Sequence, residues 1–417
     1  MINDQRLLER FLRYVRIDTT AREGQPTYPS SPGQLVLGRL LCDELRAMGY
    51  ADTLQTEHGI VLATIDSNVE HQVPVVAFNA HLDTSPETTG ANVRPQVICP
   101  YAGGDIPLAG KPGLAIRAAD NPELAALVGC TLVTTDGTTL LGADDKAGVA
   151  VIMELAATLR EHAEVKHGKL RVCFTCDEEI GRGVDHVDLA ALGADVCYTL
   201  DGHGADVIDV ETFSADLAEV TIRGVNIHPA LAKGRMVNAL RVAADFVAQL
   251  PRDALAPEVT DGRQGFLHPY TMEGGVAEVR MRILLRDFDA EQLVRQAQRL
   301  RQAAASSQHA FPGSVVDVQV RPQYRNMAGG LAKEPRAVAF AAEALRRLGR
   351  TPRLEVIRGG TDGAQFTARG LPTPNLSTGE HNFHSPLEWT CLEEMAQAVV
   401  GLLALVRVWA ESEPAVE

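Results

Sequence analysis

Leu170-Arg171-Val172-Cys173-Phe174-Thr175-Cys176-Asp177-Glu178-Glu179-Ile180-Gly181-Arg182-Gly183 runs from an apolar segment into an acidic pair and then into two glycines. Leu170 to Phe174 has the composition of a buried strand, and the glycines punctuate a turn. Two adjacent glutamates therefore stand at the exit of a core strand, where open α/β sheets carry their chemistry. Adjacent side chains there point in different directions, so one carboxylate can hold a metal while the other handles a proton. In isolation the same residues are equally a solvated acidic turn before a helix. Four other stretches decide between the two.

Upstream, Val73 to Asn79 reads as another buried strand and leads into Ala80-His81-Leu82-Asp83-Thr84. His81 and Asp83 are two apart, so on an extended chain they share a face. A neutral imidazole is a good zinc ligand, and a carboxylate beside it can take the other ring N–H. Next, Leu132 to Thr135 and Thr139 to Leu141 approach Gly142-Ala143-Asp144-Asp145-Lys146-Ala147-Gly148. Val149, Val151, Ile152, Leu155 and Leu159 then mark a strong helix. One Asp opening a helix is ordinarily a cap. Two in a row behind a glycine suggest that one aims elsewhere, and a carboxylate can bridge two metal ions with its two oxygens. Downstream, Val196 to Leu200 is a strand ending in Asp201-Gly202. From Val73 to Asp201 the order is strand, excursion, strand, helix, strand, helix, strand, with His, Asp or Glu at the exits. That alternation predicts an α/β sheet with helices on its faces. The excursion, Ser85 to Asp120, is rich in Pro and Gly and is expected to form a flap over the site.

A chain of 417 residues is long for one domain. After about Val210 the texture changes. Ala215 to Arg223, Val276 to Arg286 and Val315 to Val320 read as strands, and Met236 to Leu250 and Asp289 to Ala305 as helices. This β-α-β-α-β order predicts a smaller α+β, ferredoxin-like domain at 213–322, inserted into a larger domain of 1–212 and 323–417. In the larger domain, Leu7, Leu8, Phe11, Leu12 and Val15 recur at helical spacing, and Gly33 to Met48 continues as a second helix. Pro335 to Leu348 is a helix, Pro352 to Ile357 a strand and Cys391 to Trp409 the last helix. Arg358-Gly359-Gly360-Thr361-Asp362-Gly363 lacks the Lys-Ser/Thr of a phosphate-binding loop. An arginine beside exposed backbone N–H groups suits a carboxylate better. His384 stands on the loop before the last helix, where a lone His is ordinarily solvated.

The net charge of -15 is carried by scattered acidic residues, which argues against nucleic acid or an anionic membrane as a partner. Arg6, Glu9, Arg10, Arg13 and Arg16 interrupt the apolar residues of the first twenty, so no signal-peptide core forms there. No apolar run reaches transmembrane length. Seven dispersed cysteines suggest reduced thiols and a cytoplasmic location. Cys173 and Cys176, three apart on or beside a strand, face opposite ways and read as core.

His81, Asp144, Glu179, Asp201 and His384 are thus five donors on strand exits and loops. If they converge, the carboxylates cannot all stay ionised without cations. Two zinc ions remove the conflict, one on His81, Asp144 and Asp201, the other on Asp144, Glu179 and His384, each with room for a shared water. Imidazole and carboxylate without thiolate suit catalytic zinc, with manganese or cobalt as substitutes. Glu178 is left beside them as general base.

These motifs, together with Thr134-Thr135-Asp136-Gly137-Thr138-Thr139-Leu140-Leu141 and Arg286-Asp287-Phe288-Asp289, resemble those of the dinuclear-zinc aminopeptidase and carboxypeptidase family almost end to end. Within it the chain is similar to the tripeptide aminopeptidases. The resemblance implies His81, Asp144, Glu179, Asp201 and His384 as ligands of two zinc ions. It implies Asp83 as the group orienting His81, Glu178 as proton acceptor and a cis Asp144–Asp145 peptide. It further implies that the inserted domain is a lid through which the chain forms a homodimer, and that His228 reaches the partner's site to stabilise the oxyanion. The implied reaction is hydrolysis of the first peptide bond of a tripeptide, with Arg358 and Asn238 anchoring the peptide's C-terminal carboxylate. An N-acyl amino acid amidohydrolase or a dipeptidase of the same family is the alternative. Two positions depart from the family pattern. His228-Pro229-Ala230 replaces His-Pro-Gly, and Gly379-Glu380 replaces a glycine pair. Glu380 is expected to be solvated rather than to meet a substrate ammonium.

Overall fold

Strand alternation in the larger unit sorts apolar side chains to two faces of one sheet. Val76, Phe78, Ala80, Val172, Phe174, Val196, Tyr198 and Leu200 join one core cluster. Ala77, Cys173 and Cys197 join another on the opposite face. The computed structural model describes residues 2–412; Met1 and residues 413–417 of the expected larger domain lie outside them. The chain divides into two compact units. The larger takes the chain up to Val210, Gly329–Glu355 and from Thr361 onward; the smaller takes Glu211–Ala328 and Val356–Gly360.

The larger unit is built on an eleven-stranded mixed sheet. Its centre is four parallel neighbours in the order Leu170–Thr175, Val76–His81, Val196–His203 and Asn375–His381. Antiparallel strands extend both sides: Val61–Ile65 beyond Leu170–Thr175, and Trp389–Cys391 then Leu132–Thr134 beyond Asn375–His381. The first face is covered by the helices Asp4–Tyr14, Pro32–Ala47, Ala143–Glu161 and Leu392–Ala410. Ala143–Glu161 is buried along almost its whole length, which explains why its sequence is apolar on every side. Val184, Val187, Leu192 and Phe366 cover the other face. Cys173 and Cys176 fall in the two opposite clusters, as their spacing predicts. Because the four central strands run the same way, their exits share one edge, the edge where parallel sheets place ligands.

The smaller unit is a four-stranded antiparallel sheet in the order Phe266–Gly274, Glu278–Asp287, Ser214–Arg223, Val315–Tyr324. Helices Ala239–Ala248 and Ala290–Ala310 pack with it around a core of Val220, Ile222, Val242, Phe246, Ile283, Leu285, Leu293 and Leu300. The chain order is β-α-β-β-α-β, the ferredoxin-like arrangement, and not the three-stranded order expected from sequence. The unread strand, Phe266–Gly274, contains Pro269 and ends in Gly274, both of which weaken a strand signal. It lies at the edge, where Pro is tolerated, and its register shifts between Pro269 and Thr271.

Candidate metal centre and active site

The four parallel strands deliver their polar residues to one place. His81 closes its strand, Asp201 lies near the end of Val196–His203, and Glu178 and Glu179 form a turn just past Thr175. Asp144 comes from the head of the long buried helix, and His384 from the hairpin between Asn375–His381 and Trp389–Cys391. Donor atoms of His81, Asp144 and Asp201 lie within 4.8 Å of one another, and so do those of Asp144, Glu179 and His384. Asp144 is common to both groups. Its two oxygens face different imidazoles: Oδ1 is 2.9 Å from His81 Nε2 and Oδ2 is 3.1 Å from His384 Nε2. Asp201 Oδ1 stands 3.7 Å from His81 Nε2, and Glu179 Oε2 3.0 Å from His384 Nε2. The Asp144–Asp145 peptide is cis.

Buried Glu179 Oε1 and Asp145 Oδ1 have no hydrogen bond, and Asp144 Oδ1 faces only the His81 imidazole at 2.9 Å. Leaving a buried carboxylate oxygen bare costs several kcal/mol, on the order of 1–3 for a neutral group and more for a charged one. Burial also pushes Glu179 up to about 8 and Asp201 up to about 6, with the Asp144 charge adding to both. Burial opposes charge on His384, but hydrogen bonds to Asp144 and Glu179 hold it up at about 12. His81 follows the same pattern through Asp144, Asp201 and Asp83. Divalent cations would satisfy the same carboxylate charges. An N- and O-donor set with an orphaned carboxylate oxygen, Glu179 Oε1, fits a pair of such ions.

Around the donors stands a layer of buried carboxylates that fix the backbone. Asp83 accepts the N–H of Glu178 at 3.0 Å and of Glu179 at 3.1 Å. Its own carbonyl oxygen lies 3.1 Å from His81 Nδ1, nearer than its carboxylate at 3.5 Å. Asp83 therefore ties the imidazole to the glutamate turn. Asp145 Oδ2 accepts the His81 N–H at 2.8 Å, which is where the second aspartate of the pair aims. Glu388 accepts the N–H groups of Leu141, Gly142 and Asp144. Asp177 accepts from Ser30 and Gln34, anchoring the glutamate turn to the segment before the second helix. Asp177 and His384 both adopt left-handed backbone, with φ of 62° and 61°, a local cost that the surrounding contacts must over-determine. From the excursion after Ser85, Thr88 Oγ1 donates to the His384 carbonyl and Glu87 stands 3.3 Å from its Nδ1.

Glu178 does not join either donor group. Burial raises its carboxyl well above the ordinary range; the His81 charge opposes this, and Asp362, Asp201 and Glu179 add to it. Glu380 overturns its expectation. It is 1 % exposed, inside the Asn375–His381 strand, and takes a hydrogen bond from Thr378 Oγ1 at 2.6 Å. Residue 380 lies beside Asp145 and Asp201, and its neighbours along the strand are buried with it.

The remaining sequence-predicted residues belong to the smaller unit. His228 precedes a short turn, where its Nδ1 accepts the Ala230 N–H. Asn238 caps the helix Ala239–Ala248 through the Leu240 N–H. Arg358 donates to the carbonyls of Gly262 and Gln264 and to Thr260, and lies over the rings of Phe213 and Phe266.

With this geometry in hand, the comparisons with known proteins are specific. The profile of Peptidase family M20/M25/M40 matches residues 136–408. The chain belongs to this family. The "Peptidase T" of Geobacillus kaustophilus is 44% identical over 405 residues, which is 97% of this chain and 98% of that protein. A tripeptidase from Staphylococcus aureus has the same fold, with a TM-score of 0.77 at 24% identity over 99% of this chain and 100% of that one. A dinuclear metal-binding M20 peptidase from Bacillus subtilis aligns over 98% of this chain and 99% of its own, with a TM-score of 0.65 at 16% identity. Among the described residues of this M20 peptidase, no helix is long and apolar enough to cross a membrane.

Proposed function

We propose that this M20 member is a metal-dependent tripeptide aminopeptidase that releases the N-terminal residue of a short peptide. The observation that carries the reading is the sharing of Asp144 between two donor groups, with Glu178 half-buried beside them and outside both. The near full-length likeness to a peptidase T supports the substrate class. His81, Asp144 and Asp201 would hold one cation and Asp144, Glu179 and His384 the other, zinc being the ion that this donor set suits. Such a pair of cations would supply positive charge that polarises a peptide carbonyl and acidifies a water between them.

The chain's own residues do the rest. Glu178 takes the proton of the attacking water and gives it to the leaving amine. Asp83 holds the Glu178 and Glu179 N–H groups, which keeps base and ligand at fixed positions. The unit that includes 213–322 is assigned as a lid and homodimer contact. In that arrangement His228 of the partner subunit donates to the developing oxyanion. Arg358 and Asn238 are assigned to the peptide carboxylate, an anchor that restricts the enzyme to short substrates. The charge and the absence of a long apolar helix among the described residues are consistent with action on peptides in the cytoplasm.

The test is hydrolysis of a free-amine tripeptide with product analysis, before and after chelation and zinc restoration. Release of the N-terminal residue, lost with chelator and regained with zinc, is expected. Cleavage of acyl amino acids in preference to tripeptides would overturn the substrate assignment. Glu178→Gln is expected to keep its metal and lose activity about a hundredfold or more. Full activity in that variant would remove Glu178 from the mechanism.

A further inference from the structure

A second cluster of metal-ligating side chains lies in the larger unit, built from none of the residues above. Cys130, Cys391 and Glu393 bring two sulfurs and a carboxylate oxygen within 4.8 Å of one another. Cys391 ends the Trp389–Cys391 strand and caps the nineteen-residue helix Leu392–Ala410. Cys130 lies two residues before Leu132, which pairs with Cys391 across the sheet. The two sulfurs lie within 4.8 Å of each other, with Cys391 buried and Cys130 partly exposed. The Cys391 Sγ donates to Glu393 Oε2 at 3.4 Å. That oxygen is itself held by the Thr131 N–H at 2.8 Å. Cys99, opposite Thr131 rather than Cys130, takes the Thr131 hydroxyl and stands on the other face.

We propose that Cys130, Cys391 and Glu393 form a separate site for a thiophilic divalent cation such as zinc or cadmium. Two thiols alone would as readily be a disulfide pair. The carboxylate decides between these. A fixed negative group in contact with Cys391 Sγ and near Cys130 Sγ opposes the bare thiolate that disulfide exchange requires, whereas a cation offsets that charge and takes the carboxylate as a third ligand. The helix N-terminus favours the sulfur that becomes anionic on binding. Binding releases the two thiol protons and fastens the start of the last helix to the segment before Leu132–Thr134.

The test titrates cadmium into the reduced full-length protein and reads the thiolate-to-cadmium charge-transfer band in the ultraviolet. One equivalent per chain is expected to develop the band. Cys130→Ser and Cys391→Ala are each expected to abolish it, and Cys99→Ser to leave it unchanged. Glu393→Gln is expected to keep the band with affinity lowered about tenfold. If Cys391→Ala fails to fold, Cys130→Ser, at a partly exposed position, still decides. A band that survives Cys130→Ser, or no band from wild type with all thiols free, overturns the proposal. So does a Cys130–Cys391 disulfide found by peptide mapping together with no band after reduction. Cadmium at the imidazole and carboxylate centre gives no thiolate band, so failure of that centre and failure of this one are distinguished.

Discussion

Glu388 Oε1 accepts the backbone N–H of Asp144 at 3.1 Å, and the other oxygen of the same carboxylate accepts those of Leu141 at 2.7 Å and Gly142 at 2.9 Å. One buried side chain thus joins the hairpin that carries His384 to the loop that carries the carboxylate common to both donor groups. Glu388→Ala leaves three buried N–H groups without an acceptor. Metal affinity is expected to fall about 10–100-fold, read by competition with a chelator. Unchanged affinity would mean that the Asp144 loop keeps its shape unaided.

Asp83 makes a different prediction, because its carboxylate holds the N–H groups of both Glu178 and Glu179. Asp83→Asn replaces one acceptor oxygen with a donor facing a donor. The expected result is a kcat lowered about tenfold or more with KM little changed, since the turn that is displaced carries Glu178, the proposed proton acceptor. A change confined to KM would place the role of Asp83 in substrate binding instead.

The parts of this site that were legible in the sequence are those fixed by chain-local geometry. His81, Asp201 and the glutamate pair follow recognisable strands, and parallel strands converge at their exits. Asp144 was readable as one of two aspartates that cannot both cap a helix. Glu388 was not, since four residues past His384 an acidic side chain looks solvated until the strand after it is paired. Glu380 misled for the same reason, its burial being set by the pairing of Glu380 with Thr390. Asp362, buried with one oxygen unpartnered and the other taking the Thr175 hydroxyl, was hidden in a loop read for its glycines. In the smaller unit, Phe266–Gly274 carries the composition of an edge, and edge strands announce themselves weakly.

Gly148 tests the packing of the buried helix under the site. A Cβ there would lie 1.9 Å from the Leu200 carbonyl oxygen and 2.3 Å from Asp145 Oδ1. Neither can move without disturbing the strand that bears Asp201 or the carboxylate that holds His81. Gly148→Ala is expected to destabilise by about 1–3 kcal/mol, measured by thermal or denaturant unfolding. Gly329→Ala, where a Cβ meets nothing within 4 Å, is the control and is expected to be neutral.

Asp209 gives a dependence of stability on pH. Burial raises its carboxyl from 3.8 to about 7, against the hydrogen bond from Asn375. The folded state therefore holds this proton more tightly than the unfolded chain. Its contribution is fully present below the unfolded value and is lost as pH rises through about 7. Asp209→Asn keeps an acceptor for Asn375 without the buried charge. It is expected to raise stability at pH 8 by on the order of 1 kcal/mol and to change it little at acid pH, seen as a smaller fall in Tm between the two. An equal shift at both pH values would rule out the buried charge as the cause.

The strand that bears Asp201 has one parallel neighbour, Val76–His81, that is synthesised before it, and another, Asn375–His381, that is synthesised only after the entire smaller unit. At about 5–20 residues per second, on the order of ten seconds separate the emergence of Asp201 from that of His384 at the ribosome. Throughout that interval the nascent chain carries Asp144 and Glu179 but lacks His384, so the second donor group is incomplete and the central sheet is not closed. A peptide-cleaving enzyme is in this way born without its complete donor set, and gains it only when nearly the last segment of the chain takes its place in the sheet.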